Sequence, residues 1–262
     1  MCQGDAMNLR LPRHTLLPGA RRLSAAALLG LLATTGLTAC TGGDEPAAQN
    51  EEADADDDGS VTPEEVLAYA KTLLDETSGV RLTLATDDKP AEGDFLASAE
   101  GTITTQPAFD GSVSGRVMGF DASDIGVVSV DGEVQVDVPI TGWTTFDPAQ
   151  FCAPDPALLL DPDTGVSSVL TDAEELEEGE AERGGADNEE ILTPYDGTVP
   201  GEAVQRILPC AEGDAFTATF RIDGDGYLRS VDVTGEFFPG NDDITYAIDV
   251  LEYDVDREIT AP

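Results

Sequence analysis

From Val80 onward the apolar residues of this chain recur at every second position, and that spacing constrains the fold more than any other feature. Val80, Leu82 and Leu84 alternate with Arg81, Thr83 and Ala85. A period of two sends successive side chains to opposite faces of a strand, one apolar and one polar. The same signal predicts strands over 98–105, 111–117, 125–130 and 133–138, then over 216–222, 227–237 and 244–253. Asp131-Gly132 is a two-residue hairpin turn between two of them, and "DGDG" at 223–226 joins two others. Strands this numerous must curl or close.

Helical spacing is confined to a few places. Thr62-Pro63-Glu64-Glu65 has the residues of an N-cap, a first-turn proline and a capping box. Val66, Leu67, Ala70, Leu73 and Leu74 follow on one face, and Ser78-Gly79 ends the helix. Shorter helical pieces are expected around 156–160, 165–170 and 200–208, with Asp163 as the N-cap of the second. Residues 174–190, "EELEEGEAERGGADNEE", read as a mobile acidic loop or a ragged edge hairpin. The fold class is therefore α+β: one long antiparallel meander with helices against its concave face.

The region before Thr62 is of a different kind. Arg10, Arg13, Arg21 and Arg22 precede an uncharged stretch, "LSAAALLGLLATTG", and then "LTAC" at 37–40. The stretch is shorter than the roughly 20 apolar residues of a membrane span. Its order of basic leader, apolar core and cysteine resembles a bacterial lipoprotein signal, which implies a diacylglyceryl group on Cys40 and cleavage before it. Met7 is an alternative start to Met1, and Arg21-Arg22 an alternative twin-arginine export signal. Residues 1–39 thus read as signal peptide, 40–61 as an acidic tether and 62–262 as the folded domain. A coil of the tether's length would reach on the order of 25 Å.

Within the tether, "DADDDGSVTPEE" matches an EF-hand calcium loop through Asp54, Asp56, Asp58, Gly59 and Glu65. An EF-hand needs a helix before its loop, and only polar tether precedes Asp54. Glu65 is also claimed by the capping box. The stretch reads as the boundary of the domain, with a millimolar calcium site as the competing reading.

Charge and residue usage narrow the function. Residues 1–39 hold four of the 13 basic residues and one of the 53 acidic ones, so the remainder carries a formal charge of −43. Such a surface repels phosphate backbones and excludes nucleic acid as a partner. It also repels anionic head groups, leaving the acyl chains on Cys40 to hold the cytoplasmic membrane. The one histidine, His14, lies in the leader, so Ser-His-Asp and Cys-His chemistry and histidine-ligated metals are unavailable to the mature chain. No cofactor is expected. Cys2 and Cys40 belong to the leader and anchor, which leaves Cys152 and Cys210 to form a disulfide or stay as two thiols.

The middle of the chain carries a resemblance. "GVRLTLATDD" (79–88) and "AEGTITTQPAFDGSVSGRV" (99–117) lead to "VSVDGEVQVDVPITGWTTFDPAQF" (128–151) and "DPALLLDPDTGVSSVLTDA" (155–173). The tryptophan followed by "FDP", then "LLDPDTGVSSVL", is the most specific part. Over roughly residues 62–258 the chain resembles the LppX/LprA/LprF/LprG family of actinobacterial cell-envelope lipoproteins. The resemblance implies a single curved antiparallel half-barrel, similar to the lipoprotein carrier LolA, with helices packed in its concave face around a hydrophobic cavity. It also implies a non-enzymatic carrier of acylated lipids, including triacylated glycolipids, on the outer face of the cell membrane, with an envelope transporter as a candidate partner.

Alternation places Val113, Val117, Ile125, Val127, Val134 and Val136 on the face such a cavity needs, and the helical pieces add Leu158, Leu159, Val169 and Leu170. Gly111, Gly115, Gly119 and Gly126 would keep space open. Trp143 either lines the mouth or caps the core beside Phe146. The same residues would equally suit a closed core, the structure of a partner-binding envelope lipoprotein. Paired carboxylates acting on glycans are a third reading, without aromatic platforms to support it.

Overall fold

A computed structural model describes residues 61–90, 93–185, 188–238 and 240–262. The described elements start with α1 (Pro63–Glu76), followed by β1 (Gly79–Ala85), β2 (Phe95–Thr104), β3 (Ala108–Val117), β4 (Phe120–Val130), β5 (Glu133–Val138) and β6 (Gly142–Phe146). A helical segment comes next, with 3-10 turns at Pro148–Phe151 and Pro156–Leu158 and then α2 (Val166–Asp172). The remainder is β7 (Glu174–Glu178), β8 (Glu182–Gly184), β9 (Glu190–Pro200), α3 (Gly201–Ile207), β10 (Ala215–Asp223), β11 (Leu228–Gly235) and β12 (Ile244–Glu252).

All twelve strands join one open, curved antiparallel sheet in the order β6-β5-β4-β3-β2-β1-β12-β11-β10-β9-β7, with β8 also on β9. It consists of two meanders, β1 to β6 and β9 to β12, fused where β1 pairs with β12. The chain leaves one edge at β6 and re-enters at the other through β7. The segment 147–173 therefore crosses the sheet, and it does so on the inward face.

Local chemistry explains the boundaries. Thr62 caps α1 with a full capping box: the Glu65 N–H donates to Thr62 Oγ1 at 3.3 Å and the Thr62 N–H to Glu65 Oε2 at 3.0 Å. Thr62→Ala should lower the unfolding free energy by about 1 kcal/mol, measurable by urea titration. Asp131 and Gly132 both have positive φ, +56° and +76°, the requirement of a type I′ hairpin.

One sequence expectation changes, one is narrowed and one strand is new. Asp163 does not cap α2; Gly165 is the N-cap, without a side-chain bond. Asp161 organises the turn instead, accepting from the Thr164 hydroxyl at 2.8 Å and from the Thr164 and Asp163 amides. The Thr164 hydrogen bonds hold the Asp161 carboxyl below the usual range. The acidic insert is the ragged edge hairpin, β7 and β8 on β9. β9 itself escapes the alternation reading because Pro194 interrupts it. In a strand the N–H and C=O of one residue point the same way. Pro194 accepts from the Gly179 amide with its carbonyl, so its missing N–H faces the edge between β7 and β8 and costs no bond to β10.

The core lies between the helices and the inward face of the sheet. It includes Leu67, Ala70 and Leu74 of α1, Leu170 of α2 and Ala203 and Val204 of α3, against Ile103, Phe109, Val199, Phe216 and Phe220 of the strands. A polar clamp fastens α1 to α2. Lys71 Nζ donates to Asp75 Oδ2 at 2.6 Å and to the Pro162 carbonyl at 2.8 Å, while Ser167 Oγ donates to Asp75 Oδ1 at 2.5 Å. A second fastens the crossing segment to β4: Ser129, fully buried, donates to Asp155 Oδ1 at 2.6 Å. Among the described residues every buried side-chain nitrogen or oxygen has a hydrogen-bond partner.

Burial also marks two tyrosines. Tyr246 donates to the Leu96 carbonyl at 2.6 Å and Tyr253 to the Leu228 carbonyl at 2.8 Å. Burial pushes both phenols well above their ordinary range, although Arg229 pulls Tyr253 partly back. A raised folded-state pKa leaves these groups neutral where the unfolded chain ionises. Stability is therefore whole below pH about 10 and falls as pH rises through it. In a spectrophotometric titration Tyr246 and Tyr253 should ionise only as the protein unfolds.

Candidate functional site

Strand register sets out the inward face row by row. One row runs through eight strands: Tyr195, Phe220, Val231, Ile248, Leu84, Ala99, Val113 and Ile125. The next holds Val250, Leu82, Gly101, Gly111, Val127, Val136 and Thr144. A third holds Val80, Ile103, Phe109, Ser129, Val134 and Phe146.

Burial is uneven along the first row. On β9, β10 and β11, Tyr195, Phe220 and Val231 are buried. From β12 to β4, Ile248, Leu84, Ala99, Val113 and Ile125 are only half-buried. Leu82 and Val136 in the second row are half-buried too. The difference follows the helical elements: α2 and α3 pack on β9, while β2, β3 and β4 contact the short Pro156–Leu158 turn, beside the third row. An apolar band on β1 to β5 is thus left partly uncovered.

The site residues expected from the sequence divide accordingly. Val113, Ile125, Val127, Val134 and Val136 share the inward face. Leu159 and Val169 are partly buried against the core and Leu170 is buried in it. Three expectations are corrected. Trp143 pairs with Asp137, whose neighbours Val136 and Val138 flank the inward register, so it lies on the opposite face of the sheet from Val136. Its ring covers Gly126, where an added Cβ would meet the indole at 3.2 Å. Leu158 is 52% exposed and lines a surface groove of about 200 Å³ with Pro154, Thr164 and Arg206. Val117 lies at the end of β3, exposed, beyond an irregularity in the β3–β4 register that follows Val113.

The glycines do not hold space open. Gly101 faces Gly111 across β2 and β3, and the Phe109 ring lies over both; an added Cβ would meet it at 2.4 Å and 2.6 Å. Gly115 meets the Phe95 carbonyl of β2. Gly119, at φ +79°, makes the β3–β4 turn. Their small size serves close packing of rings and backbone. A second cavity, about 330 Å³, is lined by Glu190, Arg229, Ser230 and Asp249 among others and does not include the half-buried band. Arg229 there is already paired with Asp223 at 2.7 Å.

Cys152 and Cys210 form a disulfide, with Cα atoms 5.6 Å apart. It ties the start of the crossing segment to the end of α3. Glu65, the described member of the calcium-loop pattern, spends its carboxylate on the capping box. Cys40, Asp54, Asp56 and Asp58 lie outside the described residues, and none of the described helices is long and apolar enough to cross a membrane.

Two solved structures share this architecture. LprF from Mycobacterium bovis superposes with a TM-score of 0.63 at 14% identity, covering 76% of this chain and 96% of that one. The lipoprotein LppX from Mycobacterium tuberculosis gives 0.55 at 17% identity, covering 76% and 100%. At such identities the likeness is one of fold. No curated protein matches the sequence. A family model described as LppX_LprAFG lipoprotein matches residues 62–260, nearly the whole span from the α1 cap to the C-terminus. With its capped first helix, its fused meanders and this match, the chain belongs to the LppX_LprAFG lipoprotein family.

Proposed function

We propose that this lipoprotein is a membrane-tethered carrier that binds an acylated lipid along the half-buried band of β1 to β5. The observation that carries the reading is the change in burial along one row: the same apolar register is buried on β9 to β11 and left partly open from Ile248 to Ile125. Acyl chains laid on Leu84, Val113, Ile125 and Val136 would gain about 0.8 kcal/mol per methylene removed from water. Such binding needs no base, nucleophile or metal.

The cavities of about 330 and 200 Å³ sit at or below the low end of the roughly 300–1,000 Å³ typical of small-ligand pockets. Loading therefore requires the Pro156–Leu158 turn to lift from β2–β4, where Ser129–Asp155 is the polar fastening. Cys40 supplies the tether to the outer face of the cytoplasmic membrane, and residues 41–61 the slack.

Protein purified from its native membranes should yield lipid on organic extraction, identified by mass spectrometry. Val113→Asp with Ile125→Asp should reduce the lipid-to-protein ratio at least about tenfold, since each buries an unpaired carboxylate against acyl chains. Lipid-free wild-type protein, or an unchanged ratio in the double variant, would refute the carrier reading.

A closed-core, partner-binding lipoprotein is the second reading, favoured by the Phe109 ring filling the hollow at Gly101 and Gly111. It expects no lipid and a specific protein recovered on the domain from cross-linked envelopes.

A further inference from the structure

The exposed apolar side chains of the first meander collect at one end of the sheet. Met118 and Phe120, 76% and 77% exposed, form the β3–β4 turn with Val117, and Ile140, fully exposed, forms the β5–β6 turn. Consecutive hairpins of a meander alternate ends, so these two turns share an end. The opposite end carries the polar turns Asp131-Gly132 and Asp223–Gly226. Large apolar side chains aimed into solvent at adjacent hairpin tips mark a contact surface. They also extend the open band, because Val113 and Ile125 are paired on the hairpin that ends in Val117 and Phe120.

We propose that these hairpin tips, Val117, Met118 and Phe120 with Ile140, are a bilayer-docking edge that seats in the acyl layer of the membrane bearing the lipid anchor. Three observations select a bilayer as the occupant. The chain belongs to a lipoprotein family. The 22 residues 40–61 span up to about 75 Å when extended, enough for either end of the sheet to reach the surface. The tips are short hairpins bearing several large apolar side chains rather than a concave groove for one peptide or helix. Docking would bring the open end of the band to the source of acyl chains.

The acidic surroundings set the sign of the lipid dependence. Asp121 and Asp124 follow the β3–β4 tip, with Arg116 paired to Asp121 at 3.1 Å, and the protein as a whole is strongly acidic. Docking should therefore favour zwitterionic over anionic bilayers and strengthen as salt screens the repulsion, the reverse of a basic peripheral protein.

The proposal rests on the anchored-lipoprotein reading and not on the cargo reading, and one experiment separates them. Phe120→Trp combined with Trp143→Phe puts the sole tryptophan at the tip. The acylated protein, reconstituted in phosphatidylcholine vesicles with brominated acyl chains, should float with the vesicles. Its emission should shift to the blue and be quenched at least about twofold; in vesicles that also contain phosphatidylglycerol the quenching should be weaker in 0.05 M than in 0.5 M salt. Adding Met118→Asp and Ile140→Asp should abolish quenching while flotation and thermal stability persist, both sites being exposed. Flotation with unshifted, unquenched emission overturns the docking edge whatever lipid the protein carries. A protein that neither floats nor is quenched at millimolar lipid overturns the edge and the anchor together. Equal quenching in the Asp variants overturns the assignment to these side chains.

Discussion

Phe216→Ala should lower the unfolding free energy by about 3–5 kcal/mol, the range for truncating a buried aromatic ring. Phe216 is 1% exposed and pairs across the sheet with Val199. Its ring lies against Gly213 and Gly235, where an added Cβ would meet it at 2.9 and 2.3 Å, and 4.9 Å from the ring of Phe237. Two glycines and a second aromatic ring form a pocket whose walls have little side chain to move inward, so the vacated volume should persist. For a domain of about 200 residues the melting temperature should drop by about 10 °C or more. Phe120→Ala is the matched control, because Phe120 is 77% exposed, and should stay within about 0.5 kcal/mol of the parent. A Phe216→Ala protein as stable as that control would refute the packing argument.

Cys152→Ala with Cys210→Ala should cost about 4 kcal/mol, the loop-closure entropy for a separation of 58 residues. The closed loop contains the rest of the crossing segment, α2, the acidic edge hairpin, β9 and α3. These are the elements with the most like charge to repel one another in an unfolded chain, and they include the helices that pack on β9. Melting of the double variant about 8–16 °C below the parent is expected in differential scanning calorimetry. A difference under about 2 °C would show that the bridge contributes little. Removing it should also loosen the crossing segment, so the lipid-to-protein ratio of the variant becomes a second readout of whether loading requires the Pro156–Leu158 turn to lift.

The parts of the fold legible in the sequence are those set by local chemistry. The capping box at Thr62 and Glu65, the Asp131-Gly132 turn and the alternation of β1, β3 and β5 each depend on neighbours within a few positions. β9 and β6 were harder to read. Pro194 breaks the pattern of β9, and its compatibility depends on facing the β7–β8 edge. Gly142–Phe146 is short and carries its tryptophan on the outer face. The candidate site was legible in composition and not in placement. Val113, Ile125, Val127, Val134 and Val136 follow from period two. Trp143 reads from sequence as a mouth residue or a core cap and Leu158 as a cavity residue, yet strand register turns one outward and a 3-10 turn exposes the other. Gly111 and Gly126 suit open space in the sequence but are seats for Phe109 and Trp143 in the fold.

By itself the sequence determined the first helix, most of the strands, the acidic surface and the family, because capping, alternation and charge are local or additive properties of the residues. Only the tertiary structure decided which apolar residues are sealed and which are left open. Ile248 and Phe220 have the same alternation and the same apolar character. Phe220 is buried and Ile248 half-buried, because the crossing segment returns the chain to β7 and gathers α2 and α3 over β9, the neighbour of the Phe220 strand. That is a consequence of chain path across the sheet, and no spacing within a strand encodes it.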